Sequence, residues 1–312
     1  MDSYTLIGRI AASQDGIITR AQAIAAGVLR HEIDGLVRGG RWARLARGVY
    51  LVDADRGGGP SRRARVRAAV ASLGPHAVAV LGTAAELHGI AGLRATEEIH
   101  VSLPGWAART APRADPALVI HQLQLAPSGV TTVAGIPTTT PVRTVADLIL
   151  RLNRYPAVCV LDSALNRGKI VHEDFPAIAA LLRRRRGAVD ARRYLAEADG
   201  RAQSPLETRV RLRCVDGRVP PDVLQHPVRD PDGHLLGVGD MAWLRARIIG
   251  EADGRDAHGL PEAIFHDRRR QNGFLSAGWL VLRFTWADTM RPDYIPYVVR
   301  EATRTRTHPL PR

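Results

Sequence analysis

Two polar joints constrain what this chain can fold into more than any other feature. Asp53-Ala-Asp-Arg-Gly-Gly-Gly-Pro60 and Ala198-Asp-Gly-Arg-Ala-Gln203 break the hydrophobic patterning, so three blocks are expected rather than one continuous core. The length of 312 residues agrees, because it exceeds what one typical core organises. We see no internal repeat linking the blocks. The expected class is α+β multidomain, with domains over 1–56, 60–197 and 203–312.

Hydrophobic residues make up 45% and charged residues 24%, enough apolar material to bury cores and avoid general disorder. The formal charge is +13 and the isoelectric point is near 11.0, which gives a field that attracts phosphate polymers. Nucleic acid is therefore the default partner, and an acidic protein or a membrane surface the lesser one. Lys169 is the single lysine among 44 basic residues. The arginine wealth reads first as codon bias of a high-GC genome, since arginine outperforms lysine at phosphates only where its planar fork is used. Cys159 and Cys214 are far apart and lack a CxxC or His cluster, which argues against a disulfide framework or a zinc site. The N-terminus has no basic region followed by an apolar run, and Glu86 and His88 interrupt the apolar stretch Ala77 to Leu93. A cytoplasmic, nucleoid-associated protein that crosses no membrane is the expectation.

Block one predicts three helices and a hairpin. Ile7, Ile10 and Ala11 form a helical stripe, Thr19 caps a second helix over 20–26 that Gly27 ends, and a third over 29–38 stops at Gly39-Gly40. Two short helices joined by a Gly-containing turn are a helix-turn-helix signature. The alternating segment Trp42 to Val52 then predicts a β-wing, completing a winged helix-turn-helix. Arg30, His31, Asp34 and Arg38 fall on or beside the exposed face of the third helix, where base edges come within reach. Arg41, Arg44 and Arg47 fall on the wing, suited to phosphates. A helical adaptor with solvated arginines is the bland alternative.

Block two predicts mixed α/β structure: a basic helix from Ser61 carrying Arg62, Arg63, Arg65 and Arg67, a helix over 81–90, and a strand over 97–104. Thr140-Pro141 is an N-cap and first-turn pair, and Arg143 and Asp147 lie at i and i+4, a spacing that suits a stabilising contact. No catalytic cluster occurs in this block. The run Arg183 to Arg186 reads as a solvated helix end, with DNA backbone contact as its alternative.

Block three begins with Ser204-Pro-Leu-Glu207, a capping-box pattern; Glu207 can reach back to the cap or face a metal site. Extended runs over 222–229, 234–244 and 245–252 then predict antiparallel strands, with Asp230-Pro-Asp-Gly233 as the first turn. Asp240 and Glu251 fall on neighbouring strands. Asp253 shares a face with Glu251 if the strand extends that far. Carboxylates gathered in this way repel one another unless a cation is present, and Mg²⁺ or Mn²⁺ held by Asp240 and Glu251 would orient and activate water for phosphodiester hydrolysis. His258 can hold the attacking water or the leaving oxygen, or be structural. A helix with Asp267 to Arg270 and a strand over 278–286 complete an αβββαβ order.

Ser204 to Glu207, Gly239-Asp240, Glu251-Ala-Asp-Gly254 with His258, Asp267 to Arg270, Gly278-Trp279 and Leu282 to Thr285 resemble the Vsr-like endonuclease branch of the PD-(D/E)XK superfamily. That resemblance implies a restriction-endonuclease-like fold, Asp240 and Glu251 as metal-binding acids, and site roles for Glu207, Asp253, His258 and Arg270. The usual Glu-x-Lys is replaced by Glu251-Ala252-Asp253. Gly16 to Ala23, Arg41-Trp42 with Gly48 to Tyr50, and Thr140 to Asp147 resemble the AbiEi family of type IV antitoxins, which implies a winged-helix repressor of its own operon with a cognate toxin. A metal-dependent DNA endonuclease in defence or repair is the first expectation. Its alternative is a non-catalytic, type IV antitoxin-like transcriptional regulator that keeps a nuclease-fold scaffold.

Overall fold

The computed structural model describes residues 2–105, 117–254 and 261–307, which divide into two compact units: 1–90 with 94–148, and 91–93 with 149–312. Both expected joints, 53–60 and 198–203, lie inside a unit. The architecture is mixed α+β with several sheets.

The first unit opens with α1 (Ser3–Ser13), β1 (Ile17–Thr19), α2 (Arg20–Ala25), α3 (Arg30–Arg38), β2 (Ala43–Ala46) and β3 (Val49–Leu51). Thr19 starts α2 through a reciprocal capping box: its hydroxyl accepts from the Gln22 amide, and Gln22 Oε1 accepts from the Thr19 amide at 2.9 Å. The strands form an antiparallel sheet in the order β1-β3-β2, with Gly48 at φ +68 in the β2–β3 turn. Ile7, Ala23, Ile33 and Leu36 of the helices, and Val28 between α2 and α3, pack with Ile18, Trp42 and Tyr50. Ile17 and Val49 meet Ala64 and Ala68 of α4 (Arg62–Leu73), so the segments on both sides of the first joint pack within one compact unit. Asp15, just after α1, is 6% exposed and ion-paired to Arg63 and Arg67 of α4. Burial raises the Asp15 pKa, but hydrogen bonds from Arg63 and Arg67 outweigh that and hold it below the ordinary value.

A second sheet, in the order β6-β5-β4-β8-β7, comprises β4 (Val78–Ala79), β5 (Ile99–Ser102), β6 (Leu118–His121), β7 (Val130–Val133) and β8 (Ile136–Thr139). Val66, Ala69 and Val70 of α4 pack with Ala79, Ile99, Val101 and Ile136 of these strands. α5 (Leu81–His88) follows β4, and α6 (Pro141–Ile149) carries the expected Arg143–Asp147 pair at 2.7 Å, with Asp147 only 1% exposed.

The second unit contains α7 (Arg154–Asn166), α8 (Phe175–Leu182), α9 (Ala188–Glu197), α10 (Pro205–Asp216), β9 (Val223–Arg229), β10 (Leu235–Trp243), β11 (Ile248–Ala252), α11 (Pro261–Ser276), β12 (Leu280–Phe284) and α12 (Tyr294–Thr307). Its sheet runs β12-β11-β10-β9, antiparallel except for β11 and β12. Those two are parallel, a connection that needs a crossover, and α11 supplies it. Leu206, Val210 and Cys214 of α10 and Ile295 and Val299 of α12 cover one sheet face, while Phe274 of α11 packs with Val228, Ala242 and Ile249 on the other. Burial pushes the thiols of Cys159 and Cys214 up to about 12, so neither is a ready nucleophile.

α10 is tied to α7 by a buried charge pair. Asp162 is 1% exposed, and its Oδ2 accepts from Arg211 Nη2 and Thr208 Oγ1, both at 2.8 Å. Its Oδ1 accepts the Asp199 amide at 2.7 Å, which draws the expected second joint into the same unit. Asp162→Ala leaves the Arg211 charge without its carboxylate and is expected to cost about 3–5 kcal/mol. Breaking the exposed Arg193–Asp190 pair should cost below about 1 kcal/mol. Urea unfolding followed by tryptophan fluorescence checks both, and an unchanged midpoint for Asp162→Ala would refute the tie.

Candidate functional site

Two surfaces carry the sequence-predicted site residues. In the first unit, α3 turns Ile33 and Leu36 into the core, which leaves Arg30, His31 and Arg38 exposed. Arg41 precedes β2, Arg44 lies in it and Arg47 stands at the β2–β3 turn, all exposed. Asp34, expected beside this helix face, pairs with Arg20 at 3.1 Å, and Arg20 also donates to the Tyr50 hydroxyl at 3.2 Å. Glu32 closes the start of α3 by accepting the Leu29 amide at 2.7 Å. The acids near α3 thus serve the fold, while these five arginines and His31 stay at the surface, where they can meet phosphates.

The second surface lies in the second unit. β10 and β11 pair up to Met241 opposite Gly250, so Asp240 and Glu251 occupy the next opposed positions. Their carboxylates nevertheless engage different groups. Asp240 Oδ2 accepts the Ala252 amide at 2.8 Å, which ends the backbone ladder there. Glu251 is 5% exposed and receives Arg270 of α11 at both oxygens, each at 3.1 Å. Arg283 of β12 approaches Glu251 at 3.6 Å and Asp253 at 3.7 Å. Asp253 lies just past β11 and is exposed. Glu207, in the first turn of α10, is 8% exposed; its Oε2 accepts from the Gln203 amide at 2.9 Å and from Gln225 Nε2 at 3.0 Å. Its own amide donates to Ser204 Oγ at 3.2 Å, the capping geometry that the sequence left open as an alternative to a metal role. His258 lies outside the described residues.

Three neighbours of these acids escaped sequence reasoning. Arg283 reads in the sequence only as a residue of a buried strand. Gln225 adopts φ +53 within β9, a left-handed conformation that costs a non-glycine residue free energy and that no local pattern announces. Gly237 did leave a trace: isolated glycines in the strand segment Gly237-Val-Gly239 signal close approach of another group. A Cβ at Gly237 would lie 2.7 Å from Arg270 Cγ.

Burial raises the Asp240 pKa above its ordinary value, against the Ala252 amide and the Arg270 charge that oppose it. Burial likewise raises Glu207, opposed by the Gln203 amide and reinforced by the negative charge of Asp240.

The donor set fits a divalent metal poorly. Mg²⁺ draws carboxylate oxygens to about 2.0–2.1 Å, which requires them to converge. Among the described residues, three ligand groups within 4.8 Å of one another occur at Asp230, Asp232 and His234 in the β9–β10 turn, and not at Asp240, Glu251 and Asp253. Glu251 is already ion-paired with the Arg270 guanidinium, which donates to its Oε2. No step of hydrolysis can be built on this arrangement.

Residues 7–52 match the family described as "Transcriptional regulator, AbiEi antitoxin", and residues 77–197 match the "AbiEi antitoxin C-terminal domain". The uncharacterized proteins MT2308 and Rv2248 of two Mycobacterium tuberculosis strains are each 32% identical over 262 residues, covering 84% of this chain and 92% of theirs. The crystal structure of RV2827C protein from Mycobacterium tuberculosis aligns over 74% of this chain and 89% of that one, at 15% identity and a TM-score of 0.42. Among the described residues, no helix is long and apolar enough to cross a membrane.

The raised acids give a pH signature. An acid whose folded pKa is raised stabilises the fold below its unfolded value, here about 3.8 for Asp240 and 4.5 for Glu207, and that contribution is lost as pH rises through the folded pKa. Asp240→Asn and Glu207→Gln remain neutral throughout. Their melting temperatures relative to wild type should therefore be more favourable at pH 7.5 than at pH 4, by differential scanning calorimetry. The opposite trend would mean that the charged forms are the ones the fold prefers.

Proposed function

Because the chain carries both AbiEi antitoxin domains and belongs to one family with the mycobacterial proteins MT2308 and Rv2248, we propose that it is a DNA-binding transcriptional regulator of the antitoxin type. The observation that carries this reading is the surface of residues 30–47, within the segment matched by the regulator family. Three helices and a hairpin place Arg30, His31, Arg38, Arg41, Arg44 and Arg47 in solvent while the neighbouring acids are engaged. We read this region as a winged helix-turn-helix, in which α3 approaches a groove and the β2–β3 hairpin grips the backbone. Arginine suits that task through its two-pronged donors.

The C-terminal block, in this reading, is a restriction-endonuclease-like scaffold used for contact rather than cleavage. Its αβββαβ order and the opposed Asp240 and Glu251 support the scaffold, and the arginines on Glu251 speak against hydrolysis there. An antitoxin also implies a co-encoded toxin, whose growth inhibition co-expression of this chain would relieve.

The test is footprinting upstream of the chain's own gene, with affinity measured over a salt series. A protected operator is expected. Each phosphate contact contributes about 0.9 to the slope of log affinity against log salt, so Arg44→Ala with Arg47→Ala should flatten it by roughly 2. Arg30→Ala should reduce discrimination between operator and random DNA more than it reduces random binding. No protected site, or a slope unmoved by the wing substitutions, would defeat the reading. So would Mg²⁺-dependent cutting of plasmid DNA that Asp240→Ala and Glu251→Ala abolish.

A further inference from the structure

We propose that Arg270 is the built-in counter-cation of the C-terminal carboxylate cluster, occupying the electrostatic place of a divalent metal and excluding one from it. The inference concerns the second unit alone and is independent of whether the first unit binds DNA.

Three observations converge on it. The first is the contact itself: Arg270 Nη1 lies 3.1 Å from Glu251 Oε1 and Nη2 lies 3.1 Å from Oε2, while Nη1 also donates to the Val238 carbonyl at 3.2 Å. Nη2 donates to Oε2, whereas Nη1 gives its hydrogen bond to Val238 and meets Oε1 as a close charge contact, so guanidinium and carboxylate form a charge-assisted pair anchored at two places. The second is the route of the side chain. The Arg270 stem crosses β10 over Gly237, where an added Cβ would lie 2.7 Å from Cγ and 3.0 Å from Cδ, and its guanidinium carbon lies 5.8 Å from the centre of the Phe274 ring. A glycine at the crossing and an aromatic ring beside it build a track for this one residue. The third is charge. Glu251 and Asp253 share Arg283 as well, so among the described residues two guanidinium groups face two carboxylates.

A divalent ion would have to displace the Arg270 guanidinium from Glu251 and reach an acid that is only 5% exposed. Mg²⁺ gives up its water reluctantly, whereas a guanidinium is weakly hydrated and permanently charged, so the arginine holds the position. Asp240 offers little help to an incoming metal, because one of its oxygens holds the Ala252 amide.

The proposal is tested by thermal unfolding of the full chain in EDTA and in millimolar MgCl₂, MnCl₂ or CaCl₂. A ligand that binds only the folded state raises the melting temperature, so the reading is direct. Wild type and Arg270→Lys, which both keep a cation, should show no metal-dependent rise. Arg270→Met keeps the apolar stem over Gly237 and removes the charge; it should melt lower in EDTA and gain a metal-dependent rise that a second change, Glu251→Gln, removes. A rise in wild type that Glu251→Gln abolishes would overturn the proposal. So would an Arg270→Met protein that folds and melts like wild type with no response to metal. A wild-type rise that survives Glu251→Gln places the ion elsewhere and supports exclusion from this site. If Arg270→Met does not fold, the comparison of wild type with Glu251→Gln decides alone.

Discussion

Asp162 lies at 1% exposure on α7, and both its oxygens are taken by α10 and the chain that leads into it. A buried carboxylate in that position tolerates few arrangements, because losing one partner strands a charge in a low-dielectric interior. Such a pair adds little net stability over an apolar contact of the same shape, but it makes alternative packings expensive. The rest of the unit follows from this tie. α10 is held against α7, its Leu206 and Val210 cover the sheet, and its first turn presents Glu207 beside Gln225 of β9.

Pairing a withdrawn acid with arginine recurs at three further places. Asp15 is held by Arg63 and Arg67, Asp147 by Arg143, and Glu251 by Arg270 and Arg283. Arginine suits this role better than lysine, since its planar fork satisfies two oxygens and its charge survives burial. The near-absence of lysine therefore has a structural consequence whatever its genomic cause. Some of the arginines are engaged inside the fold by the chain's 31 acidic residues, and the net +13 remains as the field that phosphate polymers meet.

Elements with strong local rules were legible in the sequence. Thr19, Ser61 and Ser204 each cap a helix as their residue type suggests, and the run of three strands, a helix and a fourth strand after α10 follows from turn residues and periodicity. What escaped depends on distance rather than on local pattern. β1 has three residues and β4 two, too few to show alternation, and their partners arrive from elsewhere in the chain. Composition marks the two joints; it does not report that α4 packs on the first sheet or that the Asp199 amide binds Asp162. At the carboxylate site, strand pairing brought Asp240 and Glu251 opposite each other, as spacing suggested, yet the groups that fix their chemistry come from α11 and β12.

That last difference separates an order of elements from an activity. Two acids on neighbouring strands define where a cation is favourable, and nothing in strand order says which cation. A metal would leave coordination positions for water and phosphate, whereas a guanidinium from α11 uses the same negative charge and leaves none. Gln225 sharpens the point. Its left-handed backbone is costly, and its side chain bridges Gln203 and Glu207, so the third acid is also bound into a network of amide donors. Glu207 held by amides, Asp240 by a backbone N–H and Glu251 by arginines are three separate solutions to burying a carboxylate. Each acid is engaged by groups from a different part of the fold, so the sheet edge is held by three separate contacts.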